Sequence, residues 1–308
     1  MTAEELITQV RQLAQLADVD SADAANPSAE PDTDEGILAI ANREMRGKLL
    51  SDVMSLREEF FVLKQDFTIT TASASYRIPS RAIGAKLRDV VYVDGNNNVK
   101  PIPRLPPEDV IDQYRYGFCI QNNSIVLRSE DSNGILRISY FARPGKLVLQ
   151  GRVATVTVVT TATNSITVTG DNGHLHPANP SPPNTLNFDI QKSSSPFEYV
   201  SVGQAATHPS AHVFTFPGGI PSGISVGDKF ELEDESNYVQ LPEEAANVLA
   251  YRTAAKVLEA LGDESGLRRL AGSAKEMEQA MTILLSPRVD GKAQKVVNKT
   301  LFGNRWWR

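Results

Sequence analysis

The chain has almost no capacity for covalent cross-linking, with one cysteine in 308 residues. A single thiol excludes an internal disulfide framework. Cys119 lies in the strand-like run YGFCIQ, where a buried structural thiol is expected. Long apolar runs are also missing. Nothing approaches the ~20 consecutive apolar residues of a membrane helix. The opening MTAEELITQVRQL has neither the basic leader nor the apolar centre of a secretion signal. The expectation is a protein made and kept in a cytoplasm, or in a particle assembled there, with no membrane partner. The net charge is −6, so overall charge does not point to nucleic-acid binding.

Catalytic and metal-binding signatures are lacking too. The four histidines are His174, His176, His208 and His212. They fall in turn-rich HLH and HPSAH, without cysteines or an HExxH helix beside them, so no metal set is expected. GGIPSG lacks the strand, lysine and helix of a phosphate loop, and GxSxG does not occur. The acidic pairs Glu58-Glu59, Glu243-Glu244 and Glu231/Glu233 are read as solvated surface, because carboxylate pairs need a cleft before they imply acid–base work. The expectation is a non-enzyme without a cofactor.

The aromatics that are present are oddly placed. Both tryptophans of the chain, Trp306 and Trp307, stand in NKTLFGNRWWR. Charge is uneven as well. The first 36 residues hold nine acids and one base, whereas after Pro287 six basic residues face only Asp290. Such asymmetry suggests tails with separate partners. In the basic tail Lys295, Lys299, Arg305 and Arg308 alternate with Leu301, Phe302, Trp306 and Trp307. Basic plus aromatic suits a protein groove. It also suits docking on the chain's own subunit, or nucleic acid.

Periodicity supplies the rest. Residues 1–33 read as a short helix, with Thr2 and Glu5 as its capping box, followed by an acidic linker. A helix is expected from Asp34 to about Val62, with an apolar stripe from Leu38 through Met45 and Val53 to Phe60. Leu241-Pro242 opens another helix that Gly262 ends, and Asp263 caps a last one to about 285. Segments 34–66 and 237–287 therefore form one helical bundle built from both ends of the chain. Between them lie a first β unit, 67–148, and an inserted β barrel or sandwich, 149–236, with alternating Val and Thr. LRDVVYVDGNNNVKPIP is a hairpin turning at Asp94-Gly95. The class is α+β, with 288–308 as an extended arm.

The stretches SYRIPSRAIGAKLRDVVYVDG, PPEDV, YGFCIQNNSIVL and LRISYFARPGKLV resemble head-to-tail connector proteins of tailed bacteriophages. LPEEAANVLAYRTAAKVLEALGDESGLRRLAGSAKEMEQAMTILLSPRVDG is similar to the helical hairpin that follows in those proteins. The likeness covers about residues 34–148 and 241–291; the insertion matches none of it. The resemblance implies a neck adaptor at the head–tail junction of a virion, assembled in the host cytoplasm. Copies would form a ring, usually of twelve subunits, beneath the portal protein. A tail or nozzle protein would sit below, and DNA would pass only as cargo. The C-terminal arm would dock on the portal, through Lys295, Lys299, Leu301, Phe302, Arg305, Trp306, Trp307 and Arg308. The alternative is a binding module whose β insertion recognises a host-surface or tail component.

Overall fold

In the computed structural model, the described residues are 1–16, 30–69, 75–106, 116–128, 134–170, 174–175, 186–193, 198–210 and 212–286. The fold is α+β: helices from both ends of the chain flank a large antiparallel β region. Helix α1 spans Ala3–Ala14, capped by the Thr2/Glu5 box. Helices α2 and α3 span Asp34–Glu44 and Leu50–Arg57, and α4 and α5 span Glu243–Leu261 and Glu264–Leu285. Helix α4 is central and touches α1, α2 and α5. Its alanines 245, 246, 250 and 254 are buried, which lets the neighbouring backbones come close. Helix α1 belongs to this core: Leu6, Ile7 and Val10 are buried in the same cluster as Ile37, Met45, Leu249 and Leu258. Arg252 ties three helices, donating to Asp52 on α3 at 2.8 Å and to Glu278 on α5 at 2.7 Å.

The single helix expected over 34–62 is broken. Gly47 takes φ −101°, ψ −106° inside a π turn, Met45–Leu49, that separates α2 from α3. Glycine is the ordinary residue least committed to a helix interior, so the chain bends where the propensity fails. A 3₁₀ turn, Glu58–Phe61, then ends the helical stretch. The expected stripe holds as far as Val53, which is buried; beyond it Phe60 is 40% exposed.

The first β unit holds β1 (Val62–Ile69), β2 (Ser75–Arg77), β3 (Ala82–Val93), β4 (Val99–Pro101), β5 (Gly117–Gln121), β6 (Ser124–Arg128) and β7 (Gly134–Ala142). One sheet has the order β1-β7-β3-β4 and a second the order β2-β6-β5. The expected hairpin forms as β3–β4: the Asp94 carboxylate accepts from the Asn96 and Asn98 amides at 2.9 and 2.8 Å. The β5–β6 turn uses Asn122 and Asn123, both at positive φ, a conformation asparagine tolerates. Cys119 is buried on β5, as its sequence context suggests.

Strand β8 (Lys146–Leu147) leads into the insertion, which is a closed barrel. Its strands are β9 (Ala154–Thr160), β10 (Ser165–Thr169), β11 (Leu186–Gln191), β12 (Tyr199–Ser210), β13 (Val213–Thr215) and β14 (Lys229–Leu232), in the order β10-β13-β12-β11-β14-β9. Phe188, Phe214, Phe216 and Phe230 fill it; the Phe188 and Phe230 rings stack with centroids 4.5 Å apart. Strand β15 (Glu235–Ser236) leaves the barrel and pairs in parallel with β8. Entrance and exit of the insertion are thus stitched together, and the bundle, first β unit and barrel each keep an apolar core of their own.

Candidate functional site

The barrel meets the rest of the chain through a polar joint. Alternation on β11 sends Phe188 and Ile190 inward and Asp189 and Gln191 outward; all four are buried. The outward pair is covered because Arg81, just before β3, reaches across. Its Nη1 donates to Asp189 Oδ2 at 2.8 Å, and side-chain exposures are 2% and 0%. Arg81 Nη2 donates to the Tyr199 hydroxyl at 3.0 Å, Gln240 Oε1 at 3.1 Å and the Arg143 carbonyl at 3.2 Å. Gln240 precedes α4, so one guanidinium contacts the sheet, the barrel and the approach to the bundle. Gln240 Oε1 also accepts from the Gly145 amide at 2.7 Å, and its Nε2 donates to the Tyr199 hydroxyl.

A second cation joins from α2–α3. Arg46 Nη2 lies 2.5 Å from Asp234 Oδ2, and Asp234 Oδ1 is 3.7 Å from Arg81 Nε. The Asp189 carboxylate also accepts the Gly203 amide at 2.8 Å and the Asp234 amide at 3.0 Å. Burial pushes Asp189 up from the ordinary carboxylate range, and Arg81 with these two amides pulls it back. Burial opposes the charge on Arg81, but Tyr199, Asp189 and Asp234 outweigh it, so the guanidinium is held even more firmly protonated than usual. Three donors on one carboxylate, one of them the Arg81 guanidinium, favour an ionised pair. Burial raises the Tyr199 and Tyr140 phenols to about 12.

Two cations and two carboxylates balance, which leaves Glu231 outside the account. It sits on β14 directly opposite Asp189 and is fully buried. This corrects the reading of Glu231 as solvated surface: the outer face of β14 is covered where the barrel joins the bundle, while Glu233, just beyond the strand, is half-buried. Burial first, and then Asp189, push its carboxyl up to about 8, against the Asn237 amide that donates to Oε1 at 3.2 Å. Glu231 Oε2, Gln191 Oε1 and Asn237 Oδ1 are buried without a hydrogen-bond partner. A neutral Glu231 would provide a donor among these acceptors.

The joint is suited to fixing orientation. Beside Arg81, Tyr199 and Gln240 lies a cavity of about 40 Å³, which Phe60 and Phe61 also line. That is room for roughly a water or two. The arm residues Lys295, Lys299, Leu301, Phe302, Arg305, Trp306, Trp307 and Arg308 lie outside the described residues, as does His176. His174 Nε2 stands 2.9 Å from Glu235 Oε2, and His208 is buried beside the Phe214 ring. Among the described residues no group of three or more His, Cys, Asp or Glu is placed to hold a metal. No helix there is long and apolar enough to cross a membrane.

The sequence reading missed Arg81, Asp189, Tyr199, Asp234 and Gln240 as one constellation. The one signal was alternation in NFDIQ, which puts Asp189 and Gln191 on an outer face but does not say what covers it. No protein-family model matches the chain, and no curated protein is significantly similar to it.

Proposed function

We propose that the chain is a structural adaptor of a tailed-bacteriophage neck. Copies stand side by side in a ring between the portal and the tail or nozzle, and DNA passes through. The observation that supports this best is how the chain is divided. The segments that resemble connectors, 34–148 and 241–291, supply α2 to α5 and the first β unit. These segments come together around the stitched β8–β15 pair, and the insertion between them closes as its own barrel. A barrel can then be added to an adaptor without interrupting its body. Acidic net charge suits a passage that must not grip phosphate.

The described aromatics of the insertion speak for the adaptor over a binding module. Phe188, Phe214 and Phe216 are spent inside the barrel, and Tyr199 hydrogen-bonds in the joint. The arm, in this reading, carries the portal contact: its basic residues steer it and Phe302, Trp306 and Trp307 anchor it. Removing residues 288–308 and titrating the remainder against an isolated portal ring tests this. Loss of binding by at least a hundredfold is expected, and full retained affinity contradicts it.

A further inference from the structure

A groove of about 910 Å³ opens at the foot of the bundle, where α5 ends. It lies between the end of α3, the start of α4 and the end of α5, and Ser286 is on its wall. Leu56 and Phe60 give it an apolar wall, and Leu284 is 51% exposed there although α5 has a well-buried face elsewhere. In sequence, residues 287–308 follow directly on Ser286. We propose that the groove is the resting site of the chain's own arm, and that it takes Phe302, Trp306 and Trp307 out of water.

Chain length allows this. Phe302 is sixteen residues beyond Ser286 (302 − 286), an extended reach of about 50 Å. Reaching the groove requires the chain to turn back, and Asp290-Gly291 is a turn-forming pair near the root. Tethering gives the arm an effective concentration on the order of millimolar, which favours it over the arm of a second copy at ordinary concentrations.

Charge adds little. The rim carries Glu58, Glu59 and Glu244 with Arg57 among them. Glu58 already faces Lys86 at 3.8 Å, and Glu59 faces Arg88 at 3.1 Å, all four side chains being well exposed. Such pairs are weak and screened. Apolar burial therefore carries the contact, and salt should barely move it.

Both tryptophans lie in the arm, so tryptophan fluorescence reports on the arm alone. The full-length chain is excited at the red edge, where tyrosine does not absorb, and titrated with acrylamide. The expected result is blue-shifted emission with quenching several-fold below that of free tryptophan amide, unchanged on dilution and in high salt. Leu284→Asp should shift the emission to the red and raise quenching, and Leu284→Met should not. Leu284 is half exposed, so the variant should fold, which far-UV circular dichroism checks. Emission like that of the free amide overturns the proposal. So does a blue shift that Leu284→Asp leaves in place, or one that fades on dilution, which would assign the groove to a second copy's arm. The proposal is independent of the portal reading: the arm can rest here whether or not it binds a portal.

Discussion

Arg81 and Asp189 hold each other across the joint between the first β unit and the barrel, Nη1 to Oδ2 at 2.8 Å, both out of solvent. They are 108 residues apart in sequence. Their pairing fixes where an inserted domain stands relative to the body that carries it. A buried pair contributes little over a well-packed apolar substitute, but breaking one side leaves a charge without its partner.

Arg81→Met should therefore destabilise the protein by about 3–5 kcal/mol. Asp189 would keep the Gly203 and Asp234 amides but lose its cation. Arg81→Met/Asp189→Leu should recover only part of the loss, because those two amides then lack their acceptor. Denaturant unfolding of the two variants and the parent measures it. Equal stability of Arg81→Met and the parent would show that the joint does not depend on this pair.

Glu231 gives the joint a pH dependence of known sign. Its folded carboxyl titrates at about 8, above the ~4.3 of an unfolded glutamate. Below the unfolded value both states are neutral and nothing is lost. As pH rises from about 4.5 towards 8 the unfolded chain releases a proton that the folded chain keeps, so stability falls through that window and levels off above it. The size is on the order of a few kcal/mol. Glu231→Gln should remove this slope and raise the melting temperature more at pH 8 than at pH 5. A parallel pH profile for parent and variant would contradict it.

The barrel should be able to fail alone. Phe230 contacts both Phe188 and Phe214, at centroid distances of 4.5 and 4.7 Å, inside a core that it does not share with the helices. Phe230→Ala should cost about 3–5 kcal/mol. Loss should appear first as protease cleavage between residues 154 and 232, with the helical dichroism of the bundle retained. Simultaneous loss of helix signal would mean that the two cores unfold as one.

Helices, class and insertion were legible in the sequence because each leaves a local trace. Thr2 and Glu5 announce α1, Asp263 announces α5, and Val–Thr alternation announces the barrel strands. Gly47 was visible too, but the period of the stripe around it, Met45 to Leu49, hid the bend, since both residues stay buried through it. The polar joint was not legible. Asp189, Gln191 and Glu231 are placed by alternation on an outer face, and only the packing of distant segments turns that face inward. Arg81 carries no local mark at all: its partners come from β11, β12, the segments after β7 and β14, and the approach to α4.

The proposed adaptor role is tested most directly by electron cryomicroscopy of tailed particles from the source of this chain. The account predicts a ring of its copies between portal and tail. Helices α2 to α5 should pack side by side around the DNA path, with the barrels outside and residues 288–308 on the portal. A head–tail junction without this chain, or the chain found only at the far end of the tail, would contradict it.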